Sequence, residues 1–179
     1  LRHTLCDERV YVRCHAITGL VSVASEGAAQ AIVCVLQDKN EYLRSRAASA
    51  LGQIGFDTAV PALLSALHDT VGYVRQRAAD ALGMIGSKAV VSGLIHALQD
   101  PDSDVRMTAA NILGKIGDRS GVGALIGALQ DADAKVREYA VVALGDIGCR
   151  KAVPALIKAL RDTKAYVSAN ASRALGKIG

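Results

Sequence analysis

Residues 113–117 read LGKIG, and the chain closes at 175–179 on the same five letters. Close variants stand at 51–55 (LGQIG), 82–86 (LGMIG) and 144–148 (LGDIG). Their leucines, Leu51, Leu82, Leu113, Leu144 and Leu175, are 31 residues apart. A fixed period of this size marks a stacked-repeat protein, and it overrides the one or two domains that 179 residues would otherwise imply. Other letters keep the register. Asp7, Asp38, Asp69, Asp100, Asp131 and Asp162 recur at the same step. Six residues after the first five come Arg13, Arg44, Arg75, Arg106 and Arg137, with Ser168 in the last place. The chain therefore reads as one array over 1–179. A partial unit covers 1–24, and full units cover about 25–55, 56–86, 87–117, 118–148 and 149–179.

One unit shows what each repeat is. In AVPALLSAL (59–67), Val60, Leu63, Leu64 and Leu67 fall on one face of a helix. Pro61 and its counterpart Pro154 stand near its start, where a missing N–H costs nothing. A polar turn follows. YVRQRAADALGMIG (73–86) then places Val74, Ala78, Ala81, Leu82 and Ile85 on one face of a second helix, with Gly86 as its stop. Gly83 sits inside that helix, where glycine costs about 1 kcal/mol against alanine. Its return at 52, 114, 145 and 176 points to close approach of another backbone. A single helix pair cannot bury both apolar faces, so the pairs must stack. The expected class is all-α, antiparallel helix pairs with a 31-residue period.

The unit D-x4-V-R-x2-A-x3-L-G-x-I-G resembles the HEAT repeat, in the short bacterial subtype of phycobilisome lyase subunits. The resemblance spans nearly the whole chain; the first unit departs, with LVSVA at 20–24 in place of the glycine phrase. It implies a right-handed α-α superhelix, a HEAT/armadillo-like solenoid whose second helices line the concave surface. It also implies that the recurrent acid and base form a ladder between neighbouring units: Asp38, Arg44, Asp69, Arg75, Asp100, Arg106, Asp131 and Arg137. Asp69 lies ahead of the second helix, where a carboxylate can accept its free N–H groups. A catalytic reading of the Asp/Arg pair fails, because a site needs one constellation and this pair recurs in nearly every unit. Ser168 breaks the ladder, which reads as the array nearing its end.

Function in such arrays sits where packing does not dictate the residue. On the second helix that stripe runs through Tyr73, Gln76, Arg77, Asp80 and Met84. Tyr11, Tyr42, Tyr73 and Tyr166 share one register position, and Tyr139 lies a turn later on the same stripe. The candidate partner-binding residues are Tyr11, Tyr42, Arg46, Tyr73, Arg77, Asp80, Met84, Asn111, Lys115, Tyr139 and Asp146. Tyr, Met and Arg are enriched in interfaces. The competing reading is that the tyrosines only shield the helix starts.

Catalytic and metal-binding signatures are mostly absent. His3, His15, His68 and His96 are scattered and none is followed by Glu, so the His-Glu pairs of deoxyhypusine hydroxylase are absent. Trp, which HEAT-like DNA glycosylases use, is absent too. DPDSDV (100–105) opens like a calcium loop but continues with Val105 and Asn111 where Gly and Glu are needed. GVGALIG (121–127) lacks phosphate-loop spacing. Cys6, Cys14, Cys34 and Cys149 show no metal spacing and read as unpaired thiols of a reducing cytoplasm. No catalytic residue, metal or cofactor is expected. No stretch is an evident membrane span or signal peptide, and the initial Leu reads as the start of an excised piece. A net charge of +4 is too small to imply a nucleic-acid partner, although 149–179 carry seven cations against Asp162.

The leading expectation is a non-enzymatic scaffold holding a protein or peptide on its concave face. A bilin lyase or isomerase subunit is the alternative that the repeat subtype implies. A nucleic-acid-binding solenoid is the third, opposed by Asp80, Asp104, Glu138 and Asp146 on the stripe. End-to-end self-association through uncapped ends is a further expectation.

Overall fold

The computed structural model describes residues 3–86 and 90–179. Residues 87–89, which open the third full unit, and the side chain of His3 lie outside the described residues. The chain divides into two compact units, Leu1–Ser87 and Lys88–Gly179. The first holds α1 (Val10–Val23), α2 (Glu26–Val33), α3 (Glu41–Ile54), α4 (Val60–Ala66) and α5 (Gly72–Ile85). The second holds α6 (Val91–Ala97), α7 (Ser103–Ile116), α8 (Val122–Ala128), α9 (Ala134–Ile147), α10 (Val153–Ala159) and α11 (Ala165–Ile178). No strand occurs among the described residues.

Local sequence explains the lengths. Each odd-numbered helix has 14 residues, about 21 Å. Asn40 starts α3 by accepting the Leu43 N–H at 3.2 Å. Gly55, Gly117 and Gly148 stop α3, α7 and α9 in the left-handed conformation, each returning its N–H to the leucine four residues back. Ala24 takes that role for α1, with φ 44°.

The short helices stand where the spacing put them, with an entry turn that the spacing did not show. A 3-10 turn at Asp57–Ala59 comes first, and the α-helix begins at Val60. The same entry turn occurs at Arg119–Gly121, ahead of a helix without proline, so the tighter winding does not come from the ring. The six-residue-early aspartates also sit further out than expected. Asp69 Oδ1 accepts the N–H of Val71, the residue before α5, rather than an N–H of the helix itself. Among the described residues the side-chain caps of the α-helices proper are Ser25, Asn40, Asp102 and Asp133.

Each unit has its own core. Leu43, Leu51, Leu63, Val74 and Leu82 are fully buried in the first, and Leu94, Leu113, Leu125, Leu144 and Leu156 in the second. Burying each such side chain contributes about 1.5–3 kcal/mol. The interior glycines let the long helices touch. A Cβ on Gly52 would lie 2.7 Å from Ala81 Cα, and one on Gly114 2.7 Å from Ala143 Cα.

Candidate functional site

Two layers of polar side chains surround these cores. The first is the set of arginines near the starts of the long helices. In the first unit, Arg44 Nε and Nη2 donate to both oxygens of Asp69, at 2.6 and 2.9 Å. Its Nη1 donates to the Asp38 carbonyl at 2.9 Å. Arg75 Nη1 donates to the Asp69 carbonyl at 2.8 Å. In the second unit Arg106 grips Asp131 at 2.7 and 2.8 Å, and Arg137 grips Asp162 at 2.7 and 3.0 Å. Arg106 and Arg137 also donate to the carbonyls of Asp100 and Asp131 at 2.8 Å. Within each unit, one arginine therefore pins its own preceding loop and the loop of the next repeat together.

The electrostatics follow from these contacts. The Arg106 and Arg137 hydrogen bonds hold the Asp131 and Asp162 carboxyls below the usual range, and those guanidiniums are raised in turn. Burial pushes Asp69 up, but Arg44 and the Val71 N–H outweigh it and leave it lowered. Arg13 departs from the pattern. It meets Asp38 through Nη1, and its buried Nε has no partner. A groove of about 590 Å³ opens there, lined by Leu5, Cys6, Arg13, Gln30, Cys34 and Val35. The repeat register did not reveal that Cys6 and Cys34 share it, because their spacing of 28 is not a period. All four cysteines are free.

The second layer is the outward stripe of the long helices. In the first unit Tyr11, Tyr42 and Tyr73 are 60, 53 and 45% exposed, and Met84 is 65% exposed. Arg46 and Arg77 are exposed beside them and Asp80 is half-buried. Arg46 Nη2 donates to Thr18 Oγ1 at 3.2 Å, bridging α3 to α1. Arg77 Nη1 lies 3.6 Å from Asp80 Oδ2 on its own helix. Arg9 sits 5.7 Å from the Tyr11 ring, whose edge meets His15. Burial and the nearby Glu41 raise the Tyr73 phenol.

In the second unit Lys115 and Asp146 are exposed, while Asn111 and Tyr139 are half-buried. Here the charges are tied to one another. Lys177 donates to Asp146 at 2.7 Å, Asn170 to Glu138 at 3.1 Å, and Arg173 to Asn170 at 2.7 Å. Asp146 and Lys177 are one period apart on the stripe, so the register aligns them, but the pairing itself is seen only in the structure. No group of three or more potential metal ligands occurs among the described residues. No helix among them is long and apolar enough to cross a membrane.

A family profile described as HEAT repeats matches residues 1–83, 60–133 and 122–179. No curated protein matches the chain. Among solved structures, the complex of CpcE and CpcF of phycocyanin lyase from Nostoc sp. PCC7120 is similar, with 30% identity and TM-score 0.75. That match covers 84% of this chain, which spans only 64% of the Nostoc chain. A designed armadillo repeat protein in complex with the peptide (KR)4 shares the fold at 21% identity and TM-score 0.76, with 99% and 98% of the two chains covered. The architecture is of the all-α, HEAT/armadillo α-α superhelix class.

Proposed function

Since the chain belongs to the HEAT-repeat family, we propose that it is a non-enzymatic interaction module that holds a protein or peptide partner on the exposed stripe of its long helices. The observation that supports this most is the run of register-equivalent tyrosines, Tyr11, Tyr42 and Tyr73, which stay about half exposed, with Met84 exposed on the same stripe, while the opposite faces of their helices bury Ile17, Leu43, Leu51, Val74 and Leu82. Rings that merely shielded helix starts would be covered more fully. The partner-binding set is Tyr11, Tyr42, Arg46, Tyr73, Arg77, Asp80 and Met84 in the first unit, and Asn111, Lys115, Tyr139 and Asp146 in the second. The Asp/Arg contacts between neighbouring repeats serve the scaffold and take no part in chemistry. The four free thiols support a reducing, cytoplasmic setting.

Tyr42→Ala combined with Tyr73→Ala tests the reading. Capture of the partner from a lysate should be lost while the far-ultraviolet helical signal is unchanged; retained capture refutes the chosen face.

The similarity to the phycocyanin lyase complex supports a second reading, in which the chain is one subunit of a bilin lyase or isomerase. Mixing the protein with a free phycobilin would then shift the pigment's visible absorbance, and an unchanged spectrum argues against it.

A further inference from the structure

Resting on the reading that the long-helix stripe receives a partner, we propose that the stripe of the first unit binds an extended acidic peptide segment whose carboxylates stand three residues apart.

Four register columns cross α1, α3 and α5. The first is Tyr11, Tyr42 and Tyr73; the second is His15, Arg46 and Arg77. The third is Thr18, Ser49 and Asp80, and the fourth is Ser22, Gln53 and Met84. An aromatic column thus runs beside a cationic one. Arg46 has no carboxylate partner among the described residues, only the Thr18 hydroxyl. Arg77 reaches Asp80 only at 3.6 Å, beyond hydrogen-bond length, and its side chain stays 55% exposed. Arg46 is therefore open to a planar carboxylate, and Arg77, loosely paired with Asp80, can exchange that pair for one; each can grip it with two parallel N–H donors. The second unit lacks this column: its second position holds Thr108, Tyr139 and Asn170, and Lys177 pairs with Asp146, which leaves Lys115 and Arg173 in other columns.

Spacing selects the ligand's register. Packed helices lie about 8–10 Å apart. An extended peptide advances about 3.3 Å per residue, so three residues span one helix interval. A carboxylate at every third position meets Arg46 and then Arg77, and the residues between pass over Tyr42 and Tyr73. A nucleic-acid strand suits the face less well. Glu41 and Asp80 stand on it, and a continuous phosphate chain cannot avoid them.

Fluorescence anisotropy on the full chain tests this, with fluorescein-labelled (Glu-Pro-Ala)4 as probe. Controls are (Glu-Pro-Ala-Ala)4, with equal charge at longer spacing, (Lys-Pro-Ala)4 and a twelve-residue oligothymidylate. We expect (Glu-Pro-Ala)4 to bind about tenfold more tightly than each control. Arg46→Gln with Arg77→Gln should weaken it about tenfold or more, with the circular dichroism unchanged, whereas Lys177→Gln should leave it alone. Equal affinity for the two spacings, indifference to the arginine pair, tighter binding of the basic peptide or the oligonucleotide, or no binding at all would each overturn the proposal. If Tyr42→Ala with Tyr73→Ala still abolishes partner capture in any of those cases, the interaction-module reading survives and only the acidic assignment falls.

Discussion

Ala24 closes α1 where α3, α7 and α9 close on glycine, and it does so at φ 44°. A side chain in the left-handed region costs about 1–2 kcal/mol. Glycine would remove that strain but loosen the unfolded chain by about 0.4–1 kcal/mol. Ala24→Gly should therefore stabilise the protein by about 0.5–1 kcal/mol, seen as a higher urea midpoint at an unchanged slope. A lower midpoint would mean that the exposed methyl matters more than the backbone. Gly114 and Gly123 make the opposite pair. A Cβ at Gly114 would collide with Ala143, an overpacking cost of about 1–3 kcal/mol that exceeds the roughly 1 kcal/mol gain in helix propensity. A Cβ at Gly123 of α8 meets nothing within 4 Å. Gly114→Ala should thus lower the melting temperature and Gly123→Ala raise it, and the two shifts can be read in the same calorimetric experiment.

Between elements, the aspartate charges that the arginines grip are what a falling pH removes. Asp131 and Asp162 ionise more easily in the folded chain than in the unfolded one. Their stabilisation is therefore complete above the unfolded carboxylate value of about 3.9 and is lost as pH drops below it toward the lowered folded values. Thermal unfolding followed from pH 6 to pH 3 should show a steep loss of stability at the acid end. Arg106→Gln should cost about 1.5–3 kcal/mol at pH 6 and flatten that acid slope, because Asp131 then returns toward its ordinary ionisation. A mutant with an undiminished slope would move the acid sensitivity to other carboxylates.

At the scale of the molecule, the period was legible because packing repeats it: Leu51, Leu82, Leu113 and Leu144 are all fully buried. The interior glycine was legible for the same reason, since the backbone nearest to Gly52, Gly114 and Gly145 belongs each time to an alanine at the same offset on the next long helix. The 3-10 entry turns were not, because helical spacing cannot distinguish three residues per turn from 3.6 over so short a stretch. Nor were the polar links of the second unit, such as Glu138 to Asn170, which depend on rotamers rather than register. The bidentate contact joins residues 25 apart, Arg106 to Asp131 and Arg137 to Asp162. Excising residues 118–148 removes one period and leaves Arg106 at the same separation from Asp162, with Gly114 facing Ala174 in place of Ala143. Such an internal deletion should splice into a shorter protein that still unfolds cooperatively, whereas removing one residue more or fewer should put clasp and helix seam out of step and abolish the transition. The molecule can then change length only in whole increments, as a chain of links does.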